Sequence, residues 1–208
     1  MQIAILAALS SHVKQELSLA IQRVGMEVAS SLLGCSGYVI ASDLDEEAKK
    51  IILQQHHLGK PILGIGKGAE LLVEMGFIPG IEGNKPGIQV VDSLETPSST
   101  LQLVEEYQLN AFTRYLTFQH RLSIAEPSVK QFKISRGLLQ EMMALGLTVL
   151  RNSDSREISV AANKAGNAMA ILPHFVHDVT SDLLFQSMRD YIQEGYVPRV
   201  ASLYYYPR

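Results

Sequence analysis

The stretch "KPILGIGKGAELLVEMGFIPG", residues 60–80, reads as a short apolar strand that turns through Gly64, Gly66 and Gly68 into an amphipathic helix. Hydrolases build such a strand, tight turn and helix as a nucleophile elbow, patterned G-x-nucleophile-x-G, which raises one Ser or Cys above the carboxyl edge of a sheet. The spacing is intact here, but Gly66 stands at the nucleophile's place. An elbow holds its central residue in a backbone conformation that costs about 1–3 kcal/mol when that residue bears a Cβ. Glycine adopts it freely, so Gly66 keeps the turn without the reactive atom.

The flanking segments set this turn in an α/β frame. "QIAILAAL" is a short apolar strand, followed by Ser10-Ser11 as a cap for a helix from about His12 to Val24, which Gly25 stops. "MEVASSLL" and "GYVIAS" are strand candidates, and "DLDEEAKKIILQQHHLG" begins an acidic helix that Asp43 or Asp45 can cap. With the elbow strand "PILGI", this rhythm predicts a mostly parallel sheet with helices on both faces. Further on, "GNKPGIQVVDSLETPSSTLQLVEEY" mixes turns with alternating strands, with "ETPSST" as a loop. A helix is predicted from about Arg136 to Leu145, then two apolar strands around an Asn163 to Asn167 turn, then the amphipathic helix "SDLLFQSMRDYIQEG". An antiparallel section is therefore expected to join the parallel core.

Composition bounds the function. At 208 residues, 47% hydrophobic and 19% charged, the chain suits one globular domain over residues 1–208. A net charge of −3 gives no general attraction to nucleic acid or to an anionic membrane. The start "MQIAILAALSSHVKQEL" is neither a signal peptide nor a membrane span, because its apolar run is only about seven residues and nothing basic precedes it. The single cysteine, Cys35, excludes an internal disulfide framework and fits a reducing, cytoplasmic setting.

The segments "KPILGIGKGAELLVEMGFIPG", "GNKPGIQVV", "RNSDSREISVAANKAGNAMAILPH" and "LFQSMRDYIQEG" fall in an order and spacing that resembles the glutaminase subunit family of phosphoribosylformylglycinamidine synthase, a class I glutamine amidotransferase. The resemblance runs from the first strand to about Gly195 and leaves out the tail "YVPRVASLYYYPR". It implies a flavodoxin-like α/β amidotransferase fold. It also implies a Cys-His-Glu triad that hydrolyses glutamine and passes ammonia to a larger synthase subunit. Carried onto this sequence, the Cys falls on Gly66, the His on His174 in "PHFVHD", and the Glu on Val176. A Gln that helps hold glutamine falls on Glu70, beside Lys67, and the oxyanion-hole loop is shortened to "IASDLDE". Only the imidazole of the triad is present.

Other residues offer no replacement. Cys35 precedes the strand "GYVIAS", and six residues at ~3.3 Å each put it roughly 20 Å from the edge where the elbow opens. His177 and Asp178 read as surface or helix-start residues, His56-His57 lacks partners at metal-ligand spacing, and His120 in "FQHRLS" has no support. "GIGKGA" matches a dinucleotide fingerprint in form, but it is not at the first βα turn, and its acidic candidate, Glu82, lies in a Gly-rich turn. Lys67 is followed by Gly68 rather than Ser or Thr, which excludes a phosphate-binding Walker loop. No metal and no cofactor is expected.

The expected function is a degenerate amidotransferase-like protein without glutaminase activity. It would act as a structural or regulatory partner; the implied partner is a synthase large subunit. Two alternatives stay open. One is an active glutaminase or hydrolase that uses His174 in a rearranged site. The other is a small-molecule sensor whose former glutamine pocket binds an anion beside Lys67.

Overall fold

The computed structural model describes residues 1–7, 12–81, 87–93, 99–104, 110–126, 130–155 and 157–196. In chain order the elements are β1 (Gln2–Leu6), α1 (His12–Arg23), β2 (Glu27–Val28), β3 (Gly37–Ile40), α2 (Glu46–His57), β4 (Ile62–Ile65) and α3 (Lys67–Glu74). They continue with β5 (Ile88–Asp92), β6 (Thr100–Leu103), β7 (Arg121–Glu126), β8 (Lys130–Ile134) and α4 (Arg136–Ala144). The last are β9 (Thr148–Asn152), β10 (Ile158–Ala162), β11 (Ala168–Ile171), β12 (His174–Phe175) and α5 (Val179–Gln193).

A 10-stranded mixed sheet runs in the order β12-β7-β6-β9-β10-β11-β4-β3-β1-β2. Its β11-β4-β3-β1-β2 half is parallel, and everything from β11 back to β12 pairs antiparallel. The expected parallel core with an antiparallel section is thus present, and β11 belongs to both. It forms the predicted hairpin with β10 (Val160 opposite Ile171) and lies parallel along β4 (Ala170 opposite Gly64). A small separate sheet pairs β5 with β8.

Side-chain alternation in the strands feeds two cores, one on each face. Ile3, Ile5, Leu63, Ile65, Met169 and Ile171 meet Leu17 and Ile21 of α1 and Leu184, Phe185 and Met188 of α5. Ala4, Tyr38, Ile40, Ile62, Ala168 and Ala170 turn the other way, to Ile52 of α2, Leu72 of α3 and Met142 of α4. The caps are where the sequence puts acidic residues: Asp45, of the two candidates, accepts from Ala48 N at 2.8 Å, and Asp178 accepts from Ser181 N at 2.9 Å. No helix among the described residues is long and apolar enough to cross a membrane.

One sequence expectation is corrected, and one strand is added. "MEVASSLL" forms a strand only at Glu27–Val28, because β2 is an edge strand held by β1 alone. Beyond it, Ser31 draws the chain into a bend, accepting from Leu33 N through its hydroxyl and from the Cys35 thiol, at 2.9 Å, through its carbonyl. Strand β7, for which the sequence raises no expectation beyond His120, carries buried Leu122 between polar neighbours. The Ser10-Ser11 cap, Glu82, residues 95–98 of "ETPSST" and residues 197–208 of the tail lie outside the described residues.

Two glycine substitutions of opposite sign check this packing. A Cβ at Gly68 would sit 1.9 Å from the Ile40 carbonyl oxygen, so Gly68→Ala is expected to cost about 4 kcal/mol or more in urea unfolding. A Cβ at Gly137, in the first turn of α4, meets nothing within 4 Å, so Gly137→Ala is expected to stabilise by about 0.5–1 kcal/mol. A loss under about 1 kcal/mol at residue 68 would contradict the contact.

Candidate functional site

The elbow forms as the glycine spacing predicts. Gly66 has φ 56° and ψ −115°, a conformation that side chains rarely adopt, and it starts α3 by accepting from Ala69 N at 3.0 Å and Glu70 N at 3.2 Å. Its own N–H donates to the Ile171 carbonyl at 2.8 Å, which fixes the turn to β11. The flanking glycines serve close approach: a Cβ at Gly64 would lie 2.6 Å from Gly68 O. Gly66 caps α3 without a side-chain bond, so the first-turn N–H groups have no side-chain partner from their cap.

His174 comes to this turn from β12. A Cβ placed on Gly66 would be 2.6 Å from His174 Nε2, 3.2 Å from Cε1 and 3.4 Å from Cδ2. The imidazole therefore occupies the space into which a nucleophile's side chain would project. A Cys-His pair needs the two side chains beside one another at hydrogen-bond reach; here the ring lies within 2.6 Å of where a Cβ on Gly66 would stand.

Val176, where the resemblance leads one to expect an orienting carboxylate, is 39% exposed, and its N–H donates to Ser123 O at 2.7 Å. No hydrogen bond between a carboxylate and His174 is found among the described residues. Asp178 is committed to the α5 cap. Asp182 takes a two-pronged bond from Arg23, Nε to Oδ2 at 2.9 Å and Nη2 to Oδ1 at 2.7 Å, which ties the end of α1 to the start of α5. His177 is not a surface residue: its ring is half-buried, 5.0 Å from the Phe175 ring centroid and 6.4 Å from that of Phe185. Burial holds its pKa below the ordinary 6.5, with Glu16 and Asp182 opposing and Arg23 and His174 reinforcing.

Lys67, exposed, and Glu70, half-buried, engage one another in the first turn of α3, Nζ to Oε2 at 3.3 Å. The loop "IASDLDE" is tied down by Ala41 N and Ser42 Oγ, which donate to Leu6 O at 2.8 and 3.2 Å. Cys35 precedes β3 and so lies at the far end of the sheet from Gly66; its thiol is buried, and burial raises its pKa. Lys60 Nζ donates to its carbonyl at 2.6 Å. His120 accepts from Thr117 N at 3.0 Å in a local turn. His56 is joined to Asn163, and no group of three or more metal-ligating side chains occurs among the described residues. Sequence reasoning missed Arg23–Asp182 and His56–Asn163, both between segments more than a hundred residues apart.

This fold is that of the class I glutamine amidotransferases. The structure of PurLQS from Thermotoga maritima superposes with a TM-score of 0.67 at 18% identity, covering 92% of this chain and 98% of the other. The glutaminase domain of CTPS from Trypanosoma brucei, with bound acivicin, gives 0.59 at 10% identity, covering 96% and 97%. In sequence, the chain is homologous to the phosphoribosylformylglycinamidine synthase subunit PurQ of Zymomonas mobilis, with 26% identity over 128 residues. That match spans 59% of this chain and 56% of the relative, little more than half its length. No family model matches the chain.

A double-mutant cycle tests the filled seat. Gly66→Ala is expected to destabilise by more than the ~1–3 kcal/mol of its backbone strain, because the methyl also meets the imidazole. In a His174→Ala background the contact part disappears, giving a coupling of about 1 kcal/mol or more in denaturant unfolding. Strictly additive effects would mean that the ring does not rest on Gly66.

Proposed function

We propose that this chain is an amidotransferase-like protein that does not hydrolyse glutamine and serves as a structural or regulatory partner of a synthase large subunit in purine biosynthesis. The observation that carries the reading is the imidazole of His174 lying where a nucleophile would stand, over a residue with no side chain. Glutamine hydrolysis through an acyl intermediate needs an atom to attack the amide carbon, an oriented base and donors for the oxyanion. Gly66 supplies no such atom, and Val176 supplies no carboxylate to hold the ring.

What the chain keeps is architecture. The elbow, the layer of helices on each face and the α1–α5 clamp through Arg23 and Asp182 maintain the shape of an amidotransferase subunit. Homology to PurQ and the likeness of fold to the PurLQS structure favour partnership with a synthase large subunit, in the cytoplasm. The whole of residues 1–208 is read as one such domain.

Purified protein is expected to release no ammonia from glutamine above buffer. Turnover that Gly66→Ala or His174→Ala abolishes would overturn the reading. A pull-down from the native extract is expected to recover a synthase large subunit; recovery of no purine enzyme at any salt would count against the partner role.

Restoring the two missing side chains is expected not to restore the enzyme. In Gly66→Cys the thiol sits at the α3 N-terminus beside the Lys67 ammonium, which lowers its pKa and favours iodoacetamide labelling. Its Cβ must also displace His174 and bear the strain of a positive φ, so the melting temperature falls. With Val176→Glu added, the glutaminase rate is expected to stay far below that of a working amidotransferase, since one missing oxyanion donor alone costs roughly 10² to 10³. Ordinary turnover in the double variant would show that the oxyanion donors survive in the shortened loop.

A further inference from the structure

The end of α2 is joined to the β10–β11 turn by hydrogen bonds whose directions the backbone fixes. Ala168 N–H donates to Asn163 Oδ1 at 2.9 Å, so Asn163 turns its amide nitrogen to its other neighbours. Those are Asn167 Oδ1 at 2.9 Å and His56 Nε2 at 3.0 Å. Asn167 is oriented in the same way, because its Nδ2 donates to the carbonyls of His56 at 2.9 Å and Lys60 at 3.3 Å. Neither amide can flip without setting like groups against the backbone. His56 Nε2 must therefore accept, and the ring is neutral with its proton on Nδ1. That Nδ1 is buried without a partner among the described residues, while the ring stacks on Phe77 at 4.1 Å and 11°.

We propose that the His56–Asn163–Asn167 chain is a proton-operated latch: protonating His56 makes Nε2 a donor facing the Asn163 donor and releases the β10–β11 turn from α2. The turn it would free does more than connect two strands. Asn167 O accepts from Ile62 N at 2.8 Å at the start of β4, and Lys164 N donates to Pro79 O at 2.9 Å in the segment after α3. From there β11 runs along β4 to Ile171 opposite Ile65, beside Gly66. The latch stands at the foot of the strand pair whose other end carries the elbow, and it does not depend on whether glutamine is hydrolysed.

The charged surroundings agree with a neutral ring. Burial first, and then His57 on the same helix, hold His56 below the ordinary 6.5, and no carboxylate acts on it among the described residues. The turn contributes uncharged Asn163 and Asn167 and the exposed Lys164, Lys60 directs its Nζ to Cys35 O, and Phe77 bears no charge. Because the folded pKa is depressed, the stability that His56 contributes is present above pH 6.5 and is lost as pH falls through the folded value.

Imidazole nitrogen correlations and amide exchange on the full-length protein test this. At about pH 7.5, His56 is expected to show the Nδ1–H tautomer and to titrate below the ordinary 6.5. As pH falls from about 7 through the His56 titration seen in the same spectra, the Lys164 and Ala168 amides are expected to lose roughly tenfold or more in protection after correction for intrinsic exchange. His56→Gln should abolish that pH dependence, and Asn163→Asp, which offers an acceptor to a protonated ring, should raise the His56 titration above the ordinary value. An Nε2–H tautomer, a wild-type titration at or above the ordinary value, or wild-type protection unchanged with pH would overturn the latch. The wild-type readouts decide the matter even where a variant fails to fold.

Discussion

The contact on which the elbow depends is backbone against backbone: Gly68 lies so close to the Ile40 carbonyl that a Cβ would approach it to 1.9 Å. Gly64 meets the Gly68 backbone in the same way, with the Leu72 side chain packed alongside, so the first turn of α3 rests directly on the ends of β3 and β4. This proximity sets the angle at which the chain leaves β4, and with it the positive φ of Gly66. The requirement belongs to packing and not to catalysis. It holds whatever residue stands between the two glycines, and it accounts for the glycine spacing on either side of Gly66.

His174 gives the other half of that explanation. A glycine with a bare face against an ordinary catalytic imidazole would leave a gap, and close-packed protein interiors disfavour gaps of that size. Here the ring lies against the bare face of Gly66 and fills the space a side chain there would take. The two positions form one packed unit, and changing either back disturbs both.

The parallel core was legible because its signals are local: apolar runs of four or five residues, acidic caps such as Asp45 and Asp178, and glycines at the turns. The elbow was legible for the same reason, down to the residue at its apex. What could not be read depends on distant partners. The position of the His174 ring over Gly66 and the Arg23–Asp182 clamp follow from how β12 and α5 return to the site, which no short window records. The bend at Ser31 was missed because a hydroxyl and a thiol there bond locally and outweigh the β propensity of "MEVASSLL".

The double membership of β11 carries a consequence for how the chain assembles. Strands β1, β3 and β4 lie close in sequence, but the partner on the open side of β4 arrives about 100 residues later, after β6, β7, β9 and β10 of the antiparallel section have been laid down. Until then Ile62–Ile65, all buried in the finished sheet, present an apolar strand edge with unmet backbone donors and acceptors. The growing chain is thus exposed to wrong pairing at the strand that leads into its elbow. The 158–171 hairpin serves as the closing piece that ends this exposure.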